Sequence, residues 1–146
     1  MGLTEAEVAE RYDTIHRPYH EAISALLDGR AERGHATVFV AIHSFTPVYQ
    51  GEARPWEIGV LYGSDRSFAD HTFEGLAANP ALTVGDNEPY RIDDKDYGIP
   101  VHGEDRRIPH VLFEIRQDLI ANPDQQSQWA GELAAVLKRA LESASS

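Results

Sequence analysis

The apolar residues of this chain change their spacing along the sequence, from helical near the start to continuous runs further on. Thr4 and Glu7 have the spacing of a capping box, and the pattern after them predicts a helical segment from about Thr4 to Arg33, with a kink or two abutting helices at Pro18. The apolar run Thr37–Phe45 is typical of a strand that is covered on both faces. The helix would carry one apolar stripe, formed by Val8, Ile15, Tyr19, Ile23, Leu26 and Leu27.

The rest of the chain alternates short apolar runs with helical segments. The pattern predicts strands over 58–62, 82–84 and 111–115, helices over 67–78 and 123–142, and a loop over 46–57. Strands of the buried type that alternate with helices indicate an α/β fold, with three α/β/α layers and a largely parallel or mixed sheet. We find no repeat and no linker, so we expect one domain over residues 1–146.

Composition narrows the possible partners. Thirteen lysine and arginine residues against 24 aspartate and glutamate residues give a net charge of −11, which argues against nucleic-acid binding. The absence of cysteine excludes disulfides and thiolate metal sites. No apolar run approaches the ~20 residues of a membrane span, and the N-terminus does not resemble a signal peptide. We therefore expect a cytoplasmic protein that binds neither nucleic acid nor membrane.

Two places in the predicted strands carry candidate chemistry. His43 lies near the carboxyl end of the most apolar strand, where α/β sheets gather their sites, although a backbone carbonyl could equally satisfy it. Glu114 and Arg116 would lie on one face of a later strand, roughly 6.5–7 Å apart. They could form a structural ion pair, or a general base beside an anion-binding guanidinium.

Three blocks of the sequence resemble the N-formylglutamate amidohydrolase family: IHSFTPVYQGEARPWEIGVLY from Ile42 to Tyr62, VGDNEPY from Val84 to Tyr90, and PHVLFEIRQDLI from Pro109 to Ile120. The resemblance implies a zinc-peptidase-like (phosphorylase/hydrolase-like) α/β/α fold. It also implies a zinc-dependent hydrolase that cleaves the N-formyl or similar N-acyl amide of an amino acid, a small-molecule substrate.

The resemblance also implies roles for particular residues. His43 would be a zinc ligand, and Glu114 would activate water and protonate the leaving amine. Arg116, together with Arg54 and Asn87, would bind the carboxylate of the substrate.

In one respect the chain departs from the family pattern. It matches the C-terminal part, whereas complete members carry an upstream strand whose histidine motif supplies further zinc ligands. A catalytic zinc takes three protein ligands, and the matched motifs supply only His43; nothing assigns His71, His102 or His110 to a metal. We expect either an exposed sheet edge, which could support self-association, or an uncovered helix face. The alternative to an amidohydrolase is an inactive fragment that retains an anion-binding or partner-binding surface.

Overall fold

The computed structural model of the chain describes residues 2–93 and 95–145. The chain divides into two compact units, Met1–Thr37 and Val38–Ser146. The expectation of one domain over residues 1–146 stays a prediction.

The first unit is helical, as the sequence pattern predicts. It comprises α1 (Glu5–Arg11), a π-helical turn (Tyr12–His16) and α2 (Arg17–Glu32). The capping box is confirmed, because the Glu7 backbone N–H donates to the Thr4 hydroxyl and the Thr4 N–H donates to the Glu7 carboxylate. Of the two alternatives at Pro18, abutting helices describe the structure better: a widened turn lies between α1 and α2, and the proline, which lacks a backbone donor, lies in the first turn of α2.

The apolar stripe of this helix is mostly exposed. Val8, Ile15, Tyr19 and Leu26 face solvent, and Leu27 is the buried member of the stripe. A helix cannot bury its own apolar face, and the elements among the described residues of this unit are α1, the π-helical turn and α2, which follow one another along the chain.

The second unit, within its described residues, contains a four-stranded sheet and a two-stranded hairpin. The sheet has the order β1 (Phe39–Phe45), β6 (His110–Arg116), β4 (Ile58–Leu61) and β5 (Val84–Asp86). β1 runs parallel to β6, β4 runs antiparallel to β6, and β5 runs parallel to β4. The sheet is therefore mixed, and the predicted α/β class is confirmed. The hairpin pairs β2 (Val48–Tyr49) with β3 (Glu52–Ala53).

The two faces of the sheet are covered differently. On one face, α3 (Ser67–Leu76) and α4 (Pro123–Ala144) complete the main core. The opposite face has a smaller apolar cluster, to which a π-helix (Gly98–Glu104) contributes Ile99. A 3₁₀ helix (Gln117–Ile120) follows β6. The main core includes Ile58, Val60, Phe68, Leu76, Val111, Phe113, Ile115, Leu133, Val136 and Ala140.

Three details of the sequence-based prediction are wrong. The strand predicted over 82–84 is β5, which lies two residues later at Val84–Asp86. β1 is not covered on both faces, because it lies at the edge of the sheet and exposes Ile42, His43 and Ser44. Residues 46–57 are not only a loop, because they contain the β2–β3 hairpin. Its Gln50 and Gly51 both have positive φ, which makes the tight turn that joins two antiparallel strands.

No helix in the described part of the chain is long and apolar enough to cross a bilayer.

A carboxylate joins the π-helix to the segment that follows β4. Glu104 accepts hydrogen bonds from both the backbone N–H and the hydroxyl of Ser64, each 2.6 Å long. These two donors hold the pKa of Glu104 below its ordinary value, because they stabilise the ionised form.

We predict that Glu104→Gln lowers stability at pH 7 and that the difference from the unsubstituted chain shrinks in acid. A depressed pKa stabilises the fold above the pKa of the unfolded chain, about 4.3, and that stabilisation is lost as the pH falls through the folded value. Urea unfolding at pH 7 and pH 3 measures the difference. A gap that stays constant between the two pH values would contradict this account.

Candidate active site

Four paired residues form a row across one face of the sheet. His43 on β1 is in register with Glu114 on β6, Glu114 with Gly59 on β4, and Gly59 with Gly85 on β5. Residues in register on neighbouring strands point to the same side of a sheet. The row therefore presents an imidazole, a carboxylate and two positions without side chains to one face.

Glu114 and His43 form the chemical centre of this row. The Glu114 side chain is 6% exposed and the His43 side chain 59%, and 3.5 Å separate His43 Nδ1 from Glu114 Oε1. The other carboxylate oxygen, Oε2, is buried and has no hydrogen-bond partner. Burial raises the pKa of Glu114, while the nearby His43 imidazole and Arg54 guanidinium oppose that rise.

The two glycines make room for the segment that follows β5. A Cβ built on Gly59 would lie 1.9 Å from the Glu88 carbonyl oxygen, and one built on Gly85 would lie 2.8 Å from the same atom. The backbone at Glu88 therefore crosses directly over β4 and β5, which only glycine permits. This crossing brings the segment back over the face that carries Glu114.

Asn87 holds the start of this segment. It adopts a positive φ of 51°, its side-chain oxygen accepts a hydrogen bond from the Tyr62 backbone N–H, and its own N–H donates to the Val60 carbonyl. The structure thus gives Asn87 a role in connecting the segment to β4. Its predicted contact with substrate stays a prediction.

Arg54 lies among aromatic rings. Its guanidinium carbon is 4.7 Å from the ring centre of Tyr49, 4.8 Å from that of Tyr90 and 5.9 Å from that of Phe45. Its Nη1 donates a 2.9 Å hydrogen bond to the Tyr90 hydroxyl. Its influence on the pKa of Glu114 places it within electrostatic reach of the carboxylate.

Among the described residues, Arg116 does not form the ion pair with Glu114 that the sequence left open, and its partners lie elsewhere. It lies 3.5 Å from the Glu57 carboxylate, its Nε donates to Asp118 at 2.8 Å, and its Nη1 donates to the backbone carbonyls of Pro55 and Trp56. The guanidinium therefore fixes the start of β4 to the end of β6. Its role in substrate binding stays a prediction.

The described residues do not make a complete zinc site. They contain no group of three histidine, cysteine, aspartate or glutamate side chains that could hold a metal, whereas a catalytic zinc takes three protein ligands. His110 is buried at the amino end of β6, four residues from Glu114, and its Nδ1 is 2.9 Å from the Ile108 carbonyl oxygen. His43 as a zinc ligand stays a prediction.

Sequence reasoning missed Tyr49, Tyr90 and the two glycines of the row. The available signal was Gly59 inside a strongly apolar strand, since glycine there often marks a close approach of another backbone. The two tyrosines lie in the blocks that resemble the family, but no spacing rule connects either of them to Arg54.

The fold and this site define an α/β protein with a buried carboxylate and an imidazole near the carboxyl ends of two parallel strands. The model of the N-formylglutamate amidohydrolase family matches residues 1–121 of the 146. The chain belongs to that family, as the sequence blocks indicated. No curated protein matches the sequence.

The solved structures that are similar to the chain include the following two proteins. Gene product Atu2144 from Agrobacterium tumefaciens matches with a TM-score of 0.92 and 37% identity, over 100% of this chain and 58% of that one. N-formylglutamate amidohydrolase from Ralstonia eutropha JMP134 matches with a TM-score of 0.66 and 20% identity, over 96% of this chain and 55% of that one. At 20% identity, the similarity to the second structure shows a shared fold alone. The chain spans little more than half the length of either protein.

We predict that Gly59→Ala destabilises the chain by about 1–3 kcal/mol or more, because the new methyl group would overlap the Glu88 carbonyl. Gly131→Ala is the matched control: it lies in α4 with nothing within 4 Å, and should stabilise by about 0.5–1 kcal/mol. Chemical unfolding measures both. Equal effects of the two substitutions would refute the crossing of Glu88 over β4.

We predict that this chain binds zinc well short of the ~10–16 kcal/mol that complete structural sites reach, because its described donors are too few. Equilibrium dialysis followed by metal analysis measures the affinity, with His43→Ala as the comparison. Tight stoichiometric binding that His43→Ala abolishes would show that the chain supplies further ligands.

Proposed function

We propose that the protein to which this chain contributes hydrolyses the amide bond of an N-acyl amino acid, with N-formylglutamate as the first substrate to test. One observation carries the proposal: Glu114 is a buried carboxylate with an unpartnered oxygen, and the exposed imidazole of His43 lies beside it. A buried carboxylate is costly unless it is paired or used, and here only one of its oxygens has a partner. Family membership supports the same reaction.

In this proposal Glu114 transfers the proton in both steps. As a carboxylate it takes a proton from the attacking water, whose oxygen adds to the acyl carbon. As a carboxylic acid it then gives that proton to the amide nitrogen while the carbon–nitrogen bond breaks. The products from a formyl substrate are formate and the free amino acid. A pKa raised by burial suits this exchange, because it makes the acid form accessible closer to neutral pH.

Arg54 is the better of the two arginines for the substrate carboxylate. Arg116 already has Glu57 and Asp118 as counter-ions, whereas Arg54 has no carboxylate within ion-pair distance in the part of the chain that the structure describes. For zinc, we propose only that His43 is one ligand, because the described residues do not supply a complete set of metal ligands around it.

A second candidate is a chain that binds a carboxylate ligand without hydrolysing it. The observation that favours it is the Arg54 guanidinium, which contacts aromatic rings and has no carboxylate within ion-pair distance in the described part of the chain. Binding and turnover must therefore be measured separately.

We predict that Glu114→Gln lowers kcat for formate release by about 10²–10⁴-fold, the usual contribution of a general acid–base, and changes KM much less. Formate release from N-formyl-L-glutamate, measured with and without added zinc, is the assay. Glu132→Gln, an exposed position on α4, is the matched control and should behave like the unsubstituted chain.

Each outcome of this assay separates the candidates. Activity that survives Glu114→Gln would remove that residue from the mechanism. Binding of N-formyl-L-glutamate without formate release would favour the second candidate.

A further inference from the structure

Two connecting segments meet at Arg54: the β2–β3 hairpin and the segment that follows β5. Neither of them contains Glu114 or His43. The tight β2–β3 hairpin places Tyr49 and Arg54, and the Arg54 backbone N–H donates to the Pro47 carbonyl at 2.8 Å. The segment that crosses over β4 at Glu88 continues to Tyr90. We use the name Arg54 clasp for the rings of Phe45, Tyr49 and Tyr90 around this guanidinium.

The clasp holds a cation that has no carboxylate within ion-pair distance among the described residues. Arg66 offers the comparison, because its guanidinium also contacts aromatic rings but is paired with Asp70 at 2.6 Å and Asp86 at 2.7 Å. Arg54 has the rings alone, and within residues 2–93 and 95–145 no carboxylate lies within 4 Å of it. A half-buried cation of this kind gains from an anion that arrives with the ligand.

The hydrogen bond to Tyr90 uses one edge of the Arg54 guanidinium and leaves the other edge available to a ligand. Nη1 donates to the Tyr90 hydroxyl, while no described residue accepts a hydrogen bond from Nε or Nη2. These two nitrogens form the planar fork that binds a carboxylate through two parallel hydrogen bonds. Tyr49 and Tyr90 are 53% and 42% exposed, so the clasp is open to a small ligand.

We propose that Tyr49 and Tyr90 are positioning residues that orient Arg54 to bind one carboxylate of the substrate. This inference rests on the proposed function and adds a specificity determinant to it. The rings fix the plane of the guanidinium, and the Tyr90 hydroxyl fixes its rotation. The fork of Nε and Nη2 matches the two oxygens of one carboxylate.

The test measures binding in a Glu114→Gln background, so that the ligand is not consumed. Calorimetry compares N-formyl-L-glutamate with its two monoamides, N-formyl-L-glutamine and N-formyl-L-isoglutamine, each of which lacks one carboxylate. Tyr90→Leu should weaken N-formyl-L-glutamate binding by about tenfold, and Tyr90→Phe and Tyr49→Leu by about threefold each. Circular dichroism checks the fold of each variant, and Tyr90→Phe keeps the test decisive if Tyr90→Leu does not fold.

The matched control is Tyr62→Phe. The ring and the hydroxyl of Tyr62 also contact an arginine, Arg66, but Arg66 already has carboxylate partners. Its substitution should leave the affinity for all three ligands unchanged.

The proposal predicts that the Tyr90 effect disappears for one monoamide, the one that lacks the carboxylate held by Arg54. An equal loss for all three ligands would show that Tyr90 acts through the fold alone and would overturn the proposal. So would unchanged affinity in the tyrosine variants, or no binding of any ligand.

Turnover by the unsubstituted chain separates this inference from the proposed function. Carboxylate-dependent binding without formate release would reject the hydrolase and leave the clasp intact. Formate release whose KM does not respond to Tyr90→Phe or Tyr49→Leu would reject the clasp and leave the hydrolase intact.

Discussion

The candidate site depends on one buried carboxylate in the middle of a sheet. Glu114 lies on β6, between β1 and β4, where apolar side chains would pack without an electrostatic cost. Taking a carboxylate out of water costs several kcal/mol unless nearby groups compensate. His43 and Arg54 offset part of this cost, because both oppose the rise in the pKa of Glu114 that burial causes.

The surroundings of Glu114 are built mainly from backbone. Gly59 and Gly85 continue the row across the sheet, and the Glu88 carbonyl lies over them where side chains would otherwise stand. This close approach brings the segment that ends at Tyr90 over the same face. The β2–β3 hairpin supplies the other half of the Arg54 surroundings. The Glu114 carboxylate therefore lies on a strand of the regular sheet, whereas the Arg54 guanidinium lies between the β2–β3 hairpin and the segment that follows β5.

The sequence predicted the elements better than their contacts. Alternation along the apolar strand correctly placed Glu114 and Arg116 on one face, because side-chain direction within a strand is a local property. It could not show that Arg116 is paired with Glu57, since that contact requires β4 to lie antiparallel beside β6. The Arg54–Tyr90 hydrogen bond joins residues 36 positions apart, and no local pattern encodes it. Burial of β1 was predicted wrongly because its apolar sequence does not reveal that it lies at the sheet edge.

The separation of the carboxylate from the guanidinium has an evolutionary consequence. Under the proposed function, a change in the hairpin or in the crossing segment would alter which ligands are bound, while the strand hydrogen bonds that hold Glu114 would stay in place. Ligand preference could then drift without disturbing the carboxylate on the sheet.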